Sequence, residues 1–269
     1  MSLQNRLGGH TNSYHTYSLE EALEGIAAAG FRFVELSAVG GWTEHVPLDA
    51  DGVALGKIQR MLNKLGLIPV SLSGHSDLTT QAGLEAGKQA IDLCQRLGID
   101  LMNTAVGGHY SEHEDEAGFM RTIFDLADYA AARDIMIGLE IHGEITSSGA
   151  TARPVIERIN RPNVRVNYDT ANCEFYGNVK AVDDLPGCLD LLVHCHLKDK
   201  GAQGKVWNFP AVGQGHVDFA SIVNIFRQSN YRGPFTVEIE FYGEPWPPLA
   251  DVNAAMKQSY QTLAGLGLA

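Results

Sequence analysis

Four apolar runs of the chain end on residue types that bind metals or move protons: Leu139-Glu140, Tyr168-Asp169, Cys195-His196 and Val237-Glu238. Two glutamates, an aspartate and a neutral imidazole brought to one place carry three negative charges, and a divalent cation is the simplest partner that neutralises most of them. This mixed oxygen and nitrogen donor set suits Mn2+, Mg2+ or Co2+ and also admits Zn2+, so one such ion is the expected cofactor. A single glutamate at a strand end is as easily a solvated group or half of a rim ion pair. The expectation therefore rests on the elements that would bring all four together.

Those elements alternate. Ser18 caps a helix over Leu19 to Ala29 that Gly30 closes, and Phe31 to Ser37 then reads as a strand. Helical patterns over Ala54–Leu65, Leu84–Leu97, Glu116–Arg133, Thr151–Ile159, Val182–Asp190 and Phe219–Ser229 each precede a strand. Those strands are Leu67–Ser73, Leu101–Ala105, Ile135–Ile141, Val164–Asp169, Leu191–Leu197 and Phe235–Glu240. A weakly marked strand around Leu7 to Thr11 opens the series, and a helix over Val252–Leu263 closes it. Repeated βα units imply a parallel sheet. Eight of them in 269 residues favour the α/β class and a single (β/α)8 TIM barrel spanning residues 1–269. No GxGxxG fingerprint follows the first strand, which counts against a doubly wound dinucleotide fold. The long connections 38–51, 106–115 and 198–217 all leave strand ends on the face where barrel active sites lie.

Strand period two then sorts the faces. Glu140 brings Gly138 and His142 inward, Asp169 brings Asn167, His196 brings His194 and Lys198, and Glu238 brings Thr236 and Glu240. The alternate set, Ile137, Leu139, Ile141, Val193, Cys195, Leu197, Val237 and Ile239, is apolar, as a helix-covered face should be. Polar residues are thus expected inside the barrel, where Val, Ile and Leu usually pack.

Composition narrows the partners. With 20 basic and 32 acidic residues the net charge is −12, which excludes a broad basic surface for nucleic acid. Cys94, Cys173, Cys188 and Cys195 form no CxxC pair and read as reduced thiols of a cytoplasmic protein. The first six residues hold no apolar leader core, and nowhere is there an apolar run of spanning length, so no membrane partner is expected.

Several runs carry a family resemblance: Phe33-Val34-Glu35-Leu36, Leu139-Glu140-Ile141-His142, Asn167-Tyr168-Asp169-Thr170-Ala171-Asn172, His194-Cys195-His196-Leu197-Lys198-Asp199, Gly213-Gln214-Gly215, and Tyr231-Arg232-Gly233 through Val237-Glu238. In this order they resemble the xylose isomerase-like TIM barrel superfamily, which includes ketose 3-epimerases, hydroxypyruvate isomerase, inosose isomerases and dehydratases, 3-dehydroshikimate dehydratases and endonuclease IV. The resemblance implies that Glu140, Asp169, His196 and Glu238 are metal ligands, and that Glu140 and Glu238 double as catalytic bases. It places His75 and Glu35 near a substrate, and it implies a homo-oligomer. Two departures stand out. Asn172 occupies a position where endonuclease IV has histidine, and no Asp-x-His lies between Asp199 and Gly213, which argues against a nuclease. The arginine that 3-epimerases carry after the strand-seven histidine is absent, leaving Lys198 or Lys200 as substitutes, and Glu144 is only loosely placed for their additional glutamate.

The expected activity is a sugar or keto-polyol isomerase or epimerase that abstracts a proton through a metal-stabilised enediolate, with Glu140 and Glu238 flanking the substrate. His75, Lys198, Asn172, Glu35, His142 and Trp42 are the candidate substrate-binding residues, with His10 and His109 as further orienting or acid groups. Trp207 and Trp246 lie in the same exit loops. A dehydratase on the same site, with His75, His142 or Glu240 as acid, is the enzymatic alternative. A non-catalytic carbohydrate-binding barrel is the other. Gly213-Gln214-Gly215 offers backbone N–H groups to an anion, against the charge of Asp218.

Overall fold

The structure, a computed structural model, describes residues 6–108, 114–243 and 245–268. Eight parallel strands close into a barrel in chain order: β1 (Leu7–His10), β2 (Phe33–Ser37), β3 (Ile68–Ser73), β4 (Leu101–Thr104), β5 (Met136–Glu140), β6 (Val164–Asp169), β7 (Leu192–Leu197) and β8 (Phe235–Val237). The (β/α)8 expectation is met. The main outer helices are α1 (Leu19–Ala29), α2 (Gly52–Leu65), α3 (Gln81–Leu97), α4 (Glu116–Ala131) and α5 (Gly149–Ile159). After β6 come two short helices, α6 (Asn172–Phe175) and α7 (Ala181–Asp184), and then α8 (Phe219–Gln228) and α9 (Leu249–Gly265). Among the described residues no helix is long and apolar enough to cross a membrane.

Local chemistry sets the boundaries. Ser18 and Glu21 form a reciprocal capping box at α1, while Gly30, Gly66 and Gly98 end α1, α2 and α3 in the left-handed conformation. The crossover between β6 and β7 departs from expectation. Instead of one helix over 182–190, α7 runs into two 3-10 turns, Leu185–Gly187 and Leu189–Leu191. Pro186 supplies no N–H and Gly187 adds backbone freedom, so the helical ladder breaks there. Asp184, at the end of α7, instead accepts from the N–H groups of Gly149 and Ala150 at the start of α5 and from the Tyr168 hydroxyl.

The main apolar core lies between barrel and helices and contains Ile137, Leu139, Ile141, Cys195, Leu197, Val237 and Ile239, seven of the eight residues expected to face outward; the eighth, Val193, is only half-buried. The barrel interior is polar. Ser71, Asn103, Asn167, His194 and Thr236 are fully buried and joined to one another or to Glu35 by hydrogen bonds. Gly138 makes room for this layer: a Cβ there would lie 2.2 Å from Asn103 Oδ1 and 3.2 Å from Asn167 Cβ. Asn103 cannot swing away freely, because its amide donates to Glu35 Oε1 at 2.7 Å. Gly138→Ala should therefore cost roughly 1–3 kcal/mol of unfolding free energy in urea titration. An unchanged midpoint would show the polar layer to be loose.

Candidate metal centre

Strand ends deliver four acidic or imidazole side chains to one point on the exit face. Glu140 ends β5, Asp169 ends β6, His196 sits one residue from the end of β7, and Glu238 follows β8. All four are buried, and one ligand-type atom from each lies within 4.8 Å of the others. The His196 ring supplies Nδ1 to this cluster, 3.2 Å from Glu140 Oε2, 3.7 Å from Glu238 Oε2 and 3.8 Å from Asp169 Oδ2. Its other nitrogen, Nε2, faces Glu35 Oε2 at 3.0 Å. A carboxylate behind an imidazole in this way fixes which ring nitrogen keeps the proton and leaves the other free to bind. His10 and Glu35 form a second acid–imidazole group that shares His196.

Each carboxylate is oriented differently. Glu140 accepts from Asn172 at Oε1 and from Asn167 at Oε2, both at 3.1 Å, and His75 Nε2 stands 3.1 Å from Oε2. Glu238 accepts from Asn12 at 2.9 Å and pairs with Lys198 at 3.1 Å. His10 Nδ1 approaches it to 2.9 Å, out of hydrogen-bond alignment. Asp169 spends Oδ1 on the backbone N–H groups of Ala171 and Asn172, both at 2.8 Å. Its Oδ2 is fully buried and accepts no hydrogen bond, with the Lys198 ammonium 4.0 Å away. Burial, reinforced by Glu140 and Glu238, pushes the Asp169 carboxyl up to about 7 despite Lys198 and His196. A bare carboxylate oxygen aimed into a group of three other donors, with its proton affinity raised for want of positive charge, suits a cation-binding set. The residues fit a divalent ion.

The pocket above the cluster is lined by Asn12, Val39, Trp42, Ser73, His75, Glu140, His142, Asn172, Tyr176, Lys198, Trp207, Glu238 and Glu240. Of the expected substrate-binding residues, His75, Lys198, Asn172, His142 and Trp42 line it. Glu35 does not. It is fully buried beneath His196, held by Asn103, Thr236 and His196, because it lies in the middle of β2, two residues before the strand ends at Ser37. Asn172 is tied to Glu140. Trp246 lies behind the wall, edge-on to Trp42 with centroids 6.4 Å apart, while His15 stacks on Trp42 at 3.8 Å. Lys200 is turned away, donating to the carbonyls of Ala202 and Val206. Glu144 is exposed. His109 lies outside the described residues. The N–H groups of Gly213 and Gly215 are filled from within: both donate to Asp199 Oδ2 at 2.8 Å.

Asn12, Tyr176 and Asn167 were not singled out as site residues from sequence. Asn12 follows the weakly marked first strand, and Tyr176 follows a four-residue helix that has no periodic signature. The Tyr176 hydroxyl lies 2.9 Å from His142 Nε2. Asn167 had one available signal, its period-two relation to Asp169.

A closed barrel with a buried acid–histidine group at its exit face defines the class, and the chain belongs to the xylose isomerase-like TIM barrel family, whose profile matches residues 23–262. Among named proteins it is similar to an L-ribulose 3-epimerase from Methylomonas sp. (strain DH-1), 27% identical over 253 residues, covering 86% of this chain and 83% of the relative. It is also similar to a 3-dehydroshikimate dehydratase from Pseudomonas aeruginosa, 27% identical over 237 residues, covering 82% of this chain but 36% of the relative. The fold is shared with D-allulose 3-epimerase from Methylomonas sp., with TM-score 0.77, 23% identity and coverage of 99% of this chain and 100% of that one. In its complex with D-allulose the TM-score is 0.76, with 23% identity and coverage of 98% and 99%.

Burial lowers two other imidazoles, His142 to about 4 and His194 to about 3, against the partial support of nearby carboxylates. An unfolded histidine titrates near 6.5, so each group subtracts stability as pH falls from there toward its folded value. A His142→Gln variant should accordingly lose less stability than the parent between about pH 6.5 and 4, read by urea unfolding at each pH. Equal losses would mean that His142 takes up its proton in the fold.

Proposed function

We propose that the protein is a divalent-metal-dependent ketose epimerase or isomerase in which Glu140 and Glu238 move a proton at a carbon next to a carbonyl. The single observation that carries this reading is the convergence of Glu140, Asp169, His196 and Glu238 in one buried group. Its likeness to L-ribulose 3-epimerase supports the choice of reaction. These four residues would hold the ion, which when bound neutralises their charge and polarises a substrate carbonyl.

The chain's own groups supply the rest. Glu140 and Glu238 come from β5 and the end of β8, three strands apart in a ring of eight, so they flank the space between them. One carboxylate takes the proton while the C–H electron pair moves toward the carbonyl oxygen. The other delivers a proton, to the opposite face of that carbon for epimerisation or to the neighbouring carbon for isomerisation. Asn167, Asn172 and His75 hold Glu140 in place, and Asn12 and Lys198 hold Glu238, so neither base has to be ordered during the reaction. Trp42 and Trp207 offer flat faces to sugar carbons and limit water at the mouth.

A second reading, loss of water from a keto-polyol, is favoured by the likeness to 3-dehydroshikimate dehydratase, with the hydrogen-bonded His142 and Tyr176 at the pocket wall to orient a leaving hydroxyl.

Incubation of the metal-loaded protein with ketoses and dehydroshikimate in D2O separates the readings. Deuterium should enter a carbon beside the carbonyl with no change of mass beyond the exchange. A new ultraviolet chromophore with loss of water would favour the dehydratase, and no exchange by a metal-replete protein would refute proton-transfer chemistry. Asp169→Asn should lose its metal on desalting, and a metal-replete, active variant would overturn the ligand assignment. Glu35→Gln, checked to be folded at the assay temperature, should weaken Mn2+ binding roughly 10–100-fold in calorimetry. Unchanged affinity would remove Glu35 as the group that orients His196.

A further inference from the structure

The cations that would meet a phosphate on the substrate are already engaged. Among the described residues lining the pocket, Lys198 is the one lysine or arginine. Its ammonium, 3% exposed, is enclosed by carboxylates: it pairs with Glu240 Oε2, lies 3.1 Å from Glu238 Oε2 and 4.0 Å from Asp169 Oδ2, and sits 4.4 Å above the Phe209 ring. Glu240 is itself held by Asn12 and is 2% exposed. Two lining carboxylates, Glu238 and Glu240, thus share this ammonium, with Asp169 behind it. Even with a divalent ion over the four-residue group, the pocket has no positive charge to spare.

Two further anion-binding candidates among the described residues are occupied from within the chain. Asp199, fully buried, fills the Gly213–Gly215 cradle with one oxygen, and its other oxygen accepts from the N–H groups of Lys200 and Val217. A Cβ at Gly215 would lie 2.3 Å from Asp199 Oδ1, so the glycine serves this internal carboxylate. Lys200 is consumed by two backbone carbonyls. A phosphate entering here would have to break the Lys198–Glu240 pair and leave a buried carboxylate uncompensated beside a new dianion.

We infer that the site takes an uncharged ketose rather than a sugar phosphate, and that Glu240 sets this preference by neutralising Lys198. The inference rests on the ketose reading above and names the substrate class within it. Glu240 is a specificity-determining residue on these grounds: it removes the one ammonium that a phosphate would seek, and it adds negative charge at the same spot.

The test compares L-ribulose and D-allulose with L-ribulose 5-phosphate, using metal-loaded parent, Glu240→Gln and Lys198→Met proteins of checked Tm and metal content. Both deuterium exchange and calorimetric binding are read. The parent should favour the uncharged sugars by on the order of 100-fold in kcat/KM and in affinity, which corresponds to about 2.8 kcal/mol. Glu240→Gln, which frees the ammonium, should shrink that ratio at least about tenfold by improving the phosphate ester, whereas Lys198→Met should not. A parent that prefers the phosphate, a ratio unchanged in Glu240→Gln, or a parent that binds neither sugar class would overturn the inference. Faster exchange with the phosphate ester would do so while leaving the epimerase reading intact. Selective binding of the uncharged sugars without exchange would do the reverse.

Discussion

Burying several carboxylates at one end of a barrel imposes the constraint from which the rest of the structure follows. Glu35, Glu140, Asp169, Glu238 and Glu240 are all at most 5% exposed. Water does not screen them there, and every uncompensated charge is expensive. The fold meets this with nearby positive or polarisable groups: His196 between Glu35 and Glu140, His75 against Glu140, and Lys198 between Glu238 and Glu240. Burial alone would neutralise His196, but the surrounding carboxylates, Glu35 and Glu140 foremost, hold its proton well above the ordinary histidine range. Asp169 is the one left short, and its bare oxygen is the strongest reason within the fold itself to place a cation at this point.

The same constraint explains why the barrel interior departs from the usual aliphatic filling. A hydrocarbon layer beneath His196 would strand its second nitrogen. The chain instead lays down Asn103, Asn167, His194, Thr236 and Ser71, each bonded to a neighbour, with Glu35 at the centre. Such a network rigidifies when every member is satisfied, and one missing member is costly. Gly138 follows directly, since Asn103 and Asn167 come so close to it that no side chain fits between them. Site and core are here one object, and stability cannot be tuned in the floor without moving the groups above it.

Much of this was legible in the sequence, and the reason is period two. Once strands were placed, the alternation of Leu139, Ile141, Cys195 and Val237 with polar neighbours fixed which side chains share the interior, and four strand ends named the cluster. What stayed hidden depends on depth and on loops. Glu35 faces inward like Glu140, yet it lies two residues before the end of β2 whereas Glu140 ends β5, so it sits a layer below the site. Asn12 and Tyr176 lie in a 3-10 turn and beside a one-turn helix, where no period exists to read. Gly213-Gln214-Gly215 offers its N–H groups to an anion in the sequence, where no spacing reports that Asp199 accepts from them. Only the closed loop shows the aspartate folded back into it.

The two flanks of the site are not equivalent, and the difference bears on how it works. Glu140 is supported by amides and imidazoles, groups that carry little or adjustable charge and leave its face open to the pocket. Glu238 leans on a permanent ammonium that is shared with Glu240 and backed by the rings of Phe209 and Trp207. A carboxylate that gains a proton next to a lysine leaves that ammonium less compensated, whereas one beside neutral donors does not disturb its surroundings in the same way. On the proposed reading Glu240 limits the penalty on the Glu238 side, because it leaves Lys198 a second carboxylate partner when Glu238 gains a proton. A residue two positions beyond that glutamate would thereby support its proton transfer and, through the same ammonium, set which substrate charge the pocket accepts.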